Sequence, residues 1–113
     1  MEWARYTFDG GFYAQTCFIA QQAAEKLMKA YCFLRGFDVV KTHSIYQMAE
    51  SLGEEESLKK NARILDLYYI SSRYPDAFPA GAPFEMIDRE QAARALEAME
   101  AIHFVVAGRL KGE

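Results

Sequence analysis

The chain predicts an all-α fold, a single domain over residues 1–113 built as an antiparallel up-and-down bundle of four main helices plus a short one. Three observations carry this. Residues 12–35, FYAQTCFIAQQAAEKLMKAYCFLR, contain neither Pro nor Gly and are dense in Ala, Gln, Lys, Leu and Met, all good helix formers. Elsewhere apolar residues recur at spacings of three and four, the period of one helix face. No stretch shows the strict apolar–polar alternation of a half-buried strand.

The 12–35 segment is the hub. Tyr13, Cys17, Ala20, Ala24, Leu27, Tyr31 and Leu34 draw one continuous apolar stripe. Phe12, Ile19, Ala23, Ala30 and Phe33 lie beside it, leaving Gln21, Gln22, Glu25, Lys26 and Lys29 as a narrow polar strip. A helix apolar around most of its circumference must be covered on several sides, so the hub is expected at the centre, its alanines letting neighbouring backbones approach. Before it, Met1 to Phe8 is short and aromatic, with Trp3 and Tyr6 or Phe8 expected to pack on the hub and Asp9-Gly10-Gly11 as the turn. Gly36 follows as an αL cap.

Ser44 with Gln47 forms a capping box ahead of a short amphipathic helix carrying Ile45, Met48, Ala49 and Leu52, closed by Gly53. Glu54, Glu55 and Glu56 open the next helix, where acids suit the positive end of the dipole. Its face reads Leu58, Ala62, Leu65 and Tyr69, and Pro75 is expected to end it. A loop to about Ile87 follows, long for so small a domain. The last helix starts at an Asp88/Gln91 capping pair and runs through Leu96, Met99, Ile102 and Val106 to about Leu110.

At 51% hydrophobic and 26% charged residues the chain has an ordinary globular composition. Seven Tyr and eight Phe exceed what a core of this size encloses easily, so part of that surplus is expected to face a partner or a second copy. A net charge of -3 argues against a non-specific nucleic-acid binder. No apolar run approaches the roughly 20 residues that span a bilayer, and a cytoplasmic, membrane-free protein is expected. Cys17 and Cys32, on one helix about 22 Å apart along its axis, cannot pair with each other. Buried packing in a reducing compartment is their expected role.

Gly11-Phe12-Tyr13 leading into Gln21-Gln22-Ala23-Ala24-Glu25-Lys26, then Lys41-Thr42-His43-Ser44, then Tyr69 to Asp76 (YISSRYPD) before an alanine-rich last helix, together resemble the HEPN family (higher eukaryote and prokaryote nucleotide-binding domains). The resemblance covers nearly the whole chain, departing at a shorter first helix. It implies a helical bundle, a homodimer, and a small nucleotidyltransferase-like protein as partner. Many HEPN proteins are ribonucleases carrying an Arg, four to six intervening residues and then a His. Here positions 36–38 ahead of His43 are Gly, Phe and Asp, and positions 96–98 ahead of His103 are Leu, Glu and Ala. Arg73 is followed by Tyr-Pro-Asp. The general acid/base of that route is missing.

Candidate sites follow, each with a duller alternative. Arg73 offers a forked donor for phosphate, with Tyr69 or Tyr74 stacking on a base; alternatively it pairs with Asp76 or caps its helix. Thr42-His43-Ser44, beside Lys41, opens a helix whose free N–H groups suit an anion; alternatively it is a capping turn in which His43 ties the loop to the hub. The Gln21–Lys29 strip lines a groove for a polar ligand, or is simply solvated or meets the same strip of a dimer mate. Glu100-x-x-His103 has di-iron spacing, but the chain holds one copy and lacks the facing glutamates, so no metal is expected, nor any other cofactor. The resulting expectation is a non-catalytic binding module for a nucleotide, RNA or another phosphate-bearing ligand, held by Lys29, Lys41, His43, Arg73 and Tyr74. The alternatives are a degenerate ribonuclease toxin of a toxin–antitoxin pair and a purely structural subunit.

Overall fold

A computed structural model describes residues 2–37, 40–69 and 87–112. Among them lie five helices, α1 (Glu2–Asp9), α2 (Tyr13–Leu34), α3 (Ile45–Ser51), α4 (Glu56–Asp66) and α5 (Arg89–Gly112), and no strand. The hub is α2. Its most extensive packing is against α5, and the core between them is made by Cys17, Ala20, Ala24, Met28, Tyr31 and Cys32 with Ala92, Ala95, Leu96, Met99, Ile102 and Val106. Small residues on both sides let the two backbones come close.

Glu54, just ahead of α4, meets Tyr31 and Arg109, which sit late in α2 and α5. Cys17, early in α2, lies beside Tyr68 just past the end of α4. The helix α4 therefore runs against both α2 and α5, which lie side by side in one direction. Ser44 ahead of α3 bonds Asp66 at the end of α4, so these two also run antiparallel. The α1–α2 hairpin turns at Gly11, whose φ of 83° is a left-handed value that glycine accepts freely.

Several expectations change in three dimensions. Phe8 packs at the hub as expected, partly buried with its ring centroid 5.9 Å from that of Tyr13, but Trp3 and Tyr6 do not: they are 63% and 67% exposed and stack on each other, ring centroids 5.6 Å apart. The buried face of α1 is Ala4 and Thr7, and the Thr7 hydroxyl meets that of Thr16 on α2 at 2.9 Å, pinning the hairpin. The hub is central and covered on several sides as expected, packing against α1, α3, α4 and α5, while Phe12, Phe33 and Leu34 stay exposed. Its polar strip is not simply solvated, since Gln21 and Glu25 are buried. The helix α4 stops at Asp66, well short of Pro75, because the Asp66 carboxylate is drawn to the start of α3. Tyr69 thus lies beyond the helix rather than on its face.

The capping predictions divide. Asp88 and Gln91 make both halves of their box, at 3.0 and 2.8 Å. Ser44 accepts from the Gln47 N–H, but Gln47 Oε1 takes the Thr42 hydroxyl instead of returning to Ser44. Cys17 and Cys32 are both buried free thiols. Burial pushes Cys17 up to about 11, which suppresses its thiolate and its reactivity.

Met28, fully buried between α2 and α5, sets the scale of this packing. Met28→Ala is expected to cost about 2–5 kcal/mol in urea unfolding. Phe104→Ala, at an 81% exposed position, is expected to change stability by about 0.5 kcal/mol or less.

Candidate functional site

The site grows from one ridge of the hub. Gln21, Glu25 and Lys29 follow at four-residue intervals, so they stack along one face. Burying an unpaired carboxylate is prohibitive, and Glu25 is not unpaired. Its Oε1 accepts from Gln21 Nε2 at 2.9 Å, and its Oε2 accepts from His43 Nδ1 at 2.7 Å and from Lys29 Nζ at 2.9 Å. Gln22 Nε2 donates in turn to Gln21 Oε1. Burial works to raise the Glu25 carboxyl, but the donors from Gln21, His43 and Lys29 outweigh it and hold it below the ordinary 4.5.

An ionised carboxylate only accepts hydrogen bonds. His43 must therefore carry its proton on Nδ1, leaving Nε2 as the ring's other hydrogen-bonding atom on a side chain 49% exposed. The ring is held on its face as well. Tyr69 stacks against it with centroids 4.7 Å apart and planes 13° from parallel. Position, tautomer and tilt of the imidazole are all set by neighbours, the arrangement that prepares a histidine for recognition or proton transfer.

The start of α3 is occupied by a carboxylate from this chain. Asp66 accepts from Ser44 Oγ at 2.7 Å and from the Ile45 and Tyr46 N–H groups at 2.7 and 3.2 Å. The helix-start donors that suit an anion are thus taken by an internal one. An acid in the last turn of α4 works against its own helix dipole, and that misfit was the one sequence clue to a partner elsewhere.

Of the residues singled out in the sequence, Lys29 and His43 come together on Glu25. Lys41 is exposed, two positions before His43, and lines a small cavity of about 160 Å3 with Cys32, Phe37 and Met48. Arg73, Tyr74 and Asp76 lie outside the described residues, four to seven positions after Tyr69. The sequence missed Gln21, Glu25 and Asp66 as anchors, because nothing local marks a polar residue as buried. Glu100 pairs with Arg5 of α1 while His103 is exposed. No cluster of three or more metal-ligating side chains occurs among the described residues.

Comparison with known proteins now decides the family. A HEPN domain model matches residues 1–109. The chain belongs to the HEPN family. Its fold is similar to the crystal structure of ST0689, an archaeal HEPN homologue, at 34% identity and a TM-score of 0.82, covering 97% of this chain and 88% of that one. It is also similar to the crystal structure of TT1696 from Thermus thermophilus, at 39% identity and a TM-score of 0.80, covering 94% and 86%. No curated protein matches it. This HEPN domain has no described helix long and apolar enough to cross a membrane.

Two measurements check the site. Glu25→Ala strands the Gln21 amide and is expected to cost about 1–3 kcal/mol in urea unfolding, since a buried donor loses its partner. The acid response follows from the depressed Glu25 value. A carboxyl lowered by folding stabilises above its unfolded value, and that stability is lost as pH falls through the folded one. Stability should therefore hold at pH 6–7 and decline below about 4.5, and Glu25→Gln should shallow that decline.

Proposed function

We propose that this HEPN domain is a binding module without ribonuclease activity, which takes a nucleotide or another phosphate-bearing ligand on the face built around His43. The observation that carries this is the imidazole itself. It is half-exposed, held at Nδ1 by a buried carboxylate and stacked on Tyr69, so its Nε2 is a pre-set contact for a ligand atom. Lys29 beside it and Lys41 nearby supply positive charge, and Arg73 and Tyr74 follow Tyr69 closely enough in sequence to complete the face. The absent Arg-x4-6-His pattern argues against catalysis by the family's ribonuclease route.

The module works as a homodimer and serves as partner or substrate-presenting subunit of a nucleotidyltransferase-like protein. Exposed aromatic and apolar residues, among them Trp3, Tyr6, Phe33, Leu34 and Phe104, provide material for both contacts.

A second reading has one observation in its favour. A buried acid orienting a histidine is the second half of a nucleophile-activating or general-base arrangement. With Arg73 it would make a degenerate ribonuclease toxin.

Calorimetric titration with ATP, GTP and a short RNA separates the outcomes. Saturable binding of at least one is expected, weakened roughly tenfold in His43→Ala, the scale of one hydrogen bond. No binding of any of the three at millimolar concentration overturns the ligand. Light scattering after size exclusion is expected to show a dimer at tens of micromolar, and a clean monomer overturns that part. The partner is checked by co-purification with the product of the neighbouring gene. The toxin reading requires growth arrest on expression, relieved by Arg73→Ala, and healthy growth without the neighbouring protein removes it.

A further inference from the structure

About 9 to 15 Å further along the hub from Glu25, taking 1.5 Å per residue to Tyr31 and Arg35, lies a second polar centre unrelated to the His43 face. Three elements converge there: the end of α2, the turn between α3 and α4, and the last turns of α5. Glu54, in that turn and only 8% exposed, is its middle. Tyr31 Oη donates to Glu54 Oε2 at 2.6 Å. Arg109 closes a fork on the same carboxylate, Nε to Oε2 at 3.2 Å and a terminal nitrogen to Oε1 at 3.1 Å. Burial works against this charge, yet Arg109, Tyr31 and the Glu55 N–H together lower the Glu54 carboxyl and keep it ionised.

Arg35 is the odd member. It donates to the Tyr31 hydroxyl at 3.2 Å, with its guanidinium carbon 5.8 Å from the ring centre. That hydroxyl already gives its proton to Glu54, so it is bound to accept from Arg35, and the guanidinium is oriented before any ligand arrives. The Glu54 charge is matched by Arg109. Among the described residues no carboxylate lies within 4.0 Å of Arg35.

These residues line a cleft of about 520 Å3 with Leu34, Leu52 and Gly53. That volume is in the range of small-ligand sites, roughly 300–1,000 Å3. Its walls are of two kinds. The guanidinium of Arg35 presents planar forked donors suited to an oxyanion. Leu34, at 61% exposed, gives an apolar side that water covers poorly. An ordinary α2 C-cap uses a cation near its last carbonyls, which accounts for a positive residue at position 35. It does not account for the hydroxyl that aims it into the cleft.

We propose that this cleft binds a small organic oxyanion, a phosphate ester or a carboxylate with an apolar body, through Arg35 with Leu34 as its apolar wall. Glu54, Tyr31 and Arg109 form the rigid frame that positions Arg35. The site is independent of the His43 face and stands or falls without it.

The test is NMR titration of the full chain with phenyl phosphate, benzoate and inorganic phosphate, following the Arg35 Nε–H and the Gly53 and Glu54 amides. Saturable shifts at these groups are expected with phenyl phosphate or benzoate, and which one binds assigns the phosphate or the carboxylate source. Inorganic phosphate, lacking the apolar body, is expected to bind more weakly. Arg35→Ala should weaken binding at least tenfold, and Arg35→Lys should recover part of it because the charge returns without the fork. Arg35 is exposed, so the amide spectrum of each variant should otherwise match that of the parent and show the fold intact. No saturable shift with either organic probe overturns the proposal. So does equal affinity in Arg35→Ala, or shifts confined to the His43 ring.

Discussion

Carboxylates drawn into this small bundle have to be answered by donors from other segments, and that requirement shapes the molecule more than any single apolar contact. Glu25 is answered by Gln21 and Lys29 from its own helix and by His43 from the connector. Asp66 is answered by the start of α3. Glu54 is answered by Tyr31 of α2 and Arg109 of α5. Each acid joins segments that the chain separates, and each join fixes a register that greasy packing alone would leave free. Breaking the Glu25 or Glu54 join leaves a buried charge or donor without a partner, which is far worse than losing a surface pair.

The candidate site is a by-product of this requirement. Residues 40–44 of the connector returning from α2 have no regular structure to hold them. The Glu25 carboxylate holds them by their histidine, and the same bond selects the Nδ1–H tautomer. Tyr69, released from α4 by the early stop at Asp66, then closes on the ring. The stop at Asp66 and the stacked Tyr69 are therefore one event seen from two sides. Had α4 continued to Pro75, the hydrogen bonds from Asp66 to the start of α3 would have had to compete with an unbroken helix.

The apolar side of the molecule is divided in a similar way. The faces toward α5, α3 and α4 are finished with Ala, Met and Leu at close approach, while Trp3, Tyr6, Phe33 and Phe104 stay outside. Aromatic surplus in the composition was visible as such, and exposure is where it ended. What it lacked in the sequence was an address: Trp3 and Tyr6 are good candidates for the hub by proximity, yet on an eight-residue helix the narrow buried edge is taken by Ala4 and Thr7.

The sequence by itself determined that there are helices and where their middles lie, though not where α4 ends, because period, Ala and Leu content, and glycine or capping signals act locally. It determined the family resemblance for the same reason, since Gln21–Lys26, Lys41–Ser44 and Tyr69–Asp76 are contiguous strings. It also brought Lys29 and His43 forward as chemistry-bearing residues. Only the tertiary structure decided that Glu25 is buried, that Asp66 fills the helix start, and that Glu54 is a clamp between three elements instead of a dipole-friendly opener. Those outcomes depend on partners 18 to 55 positions away in the chain. Local preference assigns a polar residue to water by default, and only a distant donor arriving in the fold can reverse that assignment.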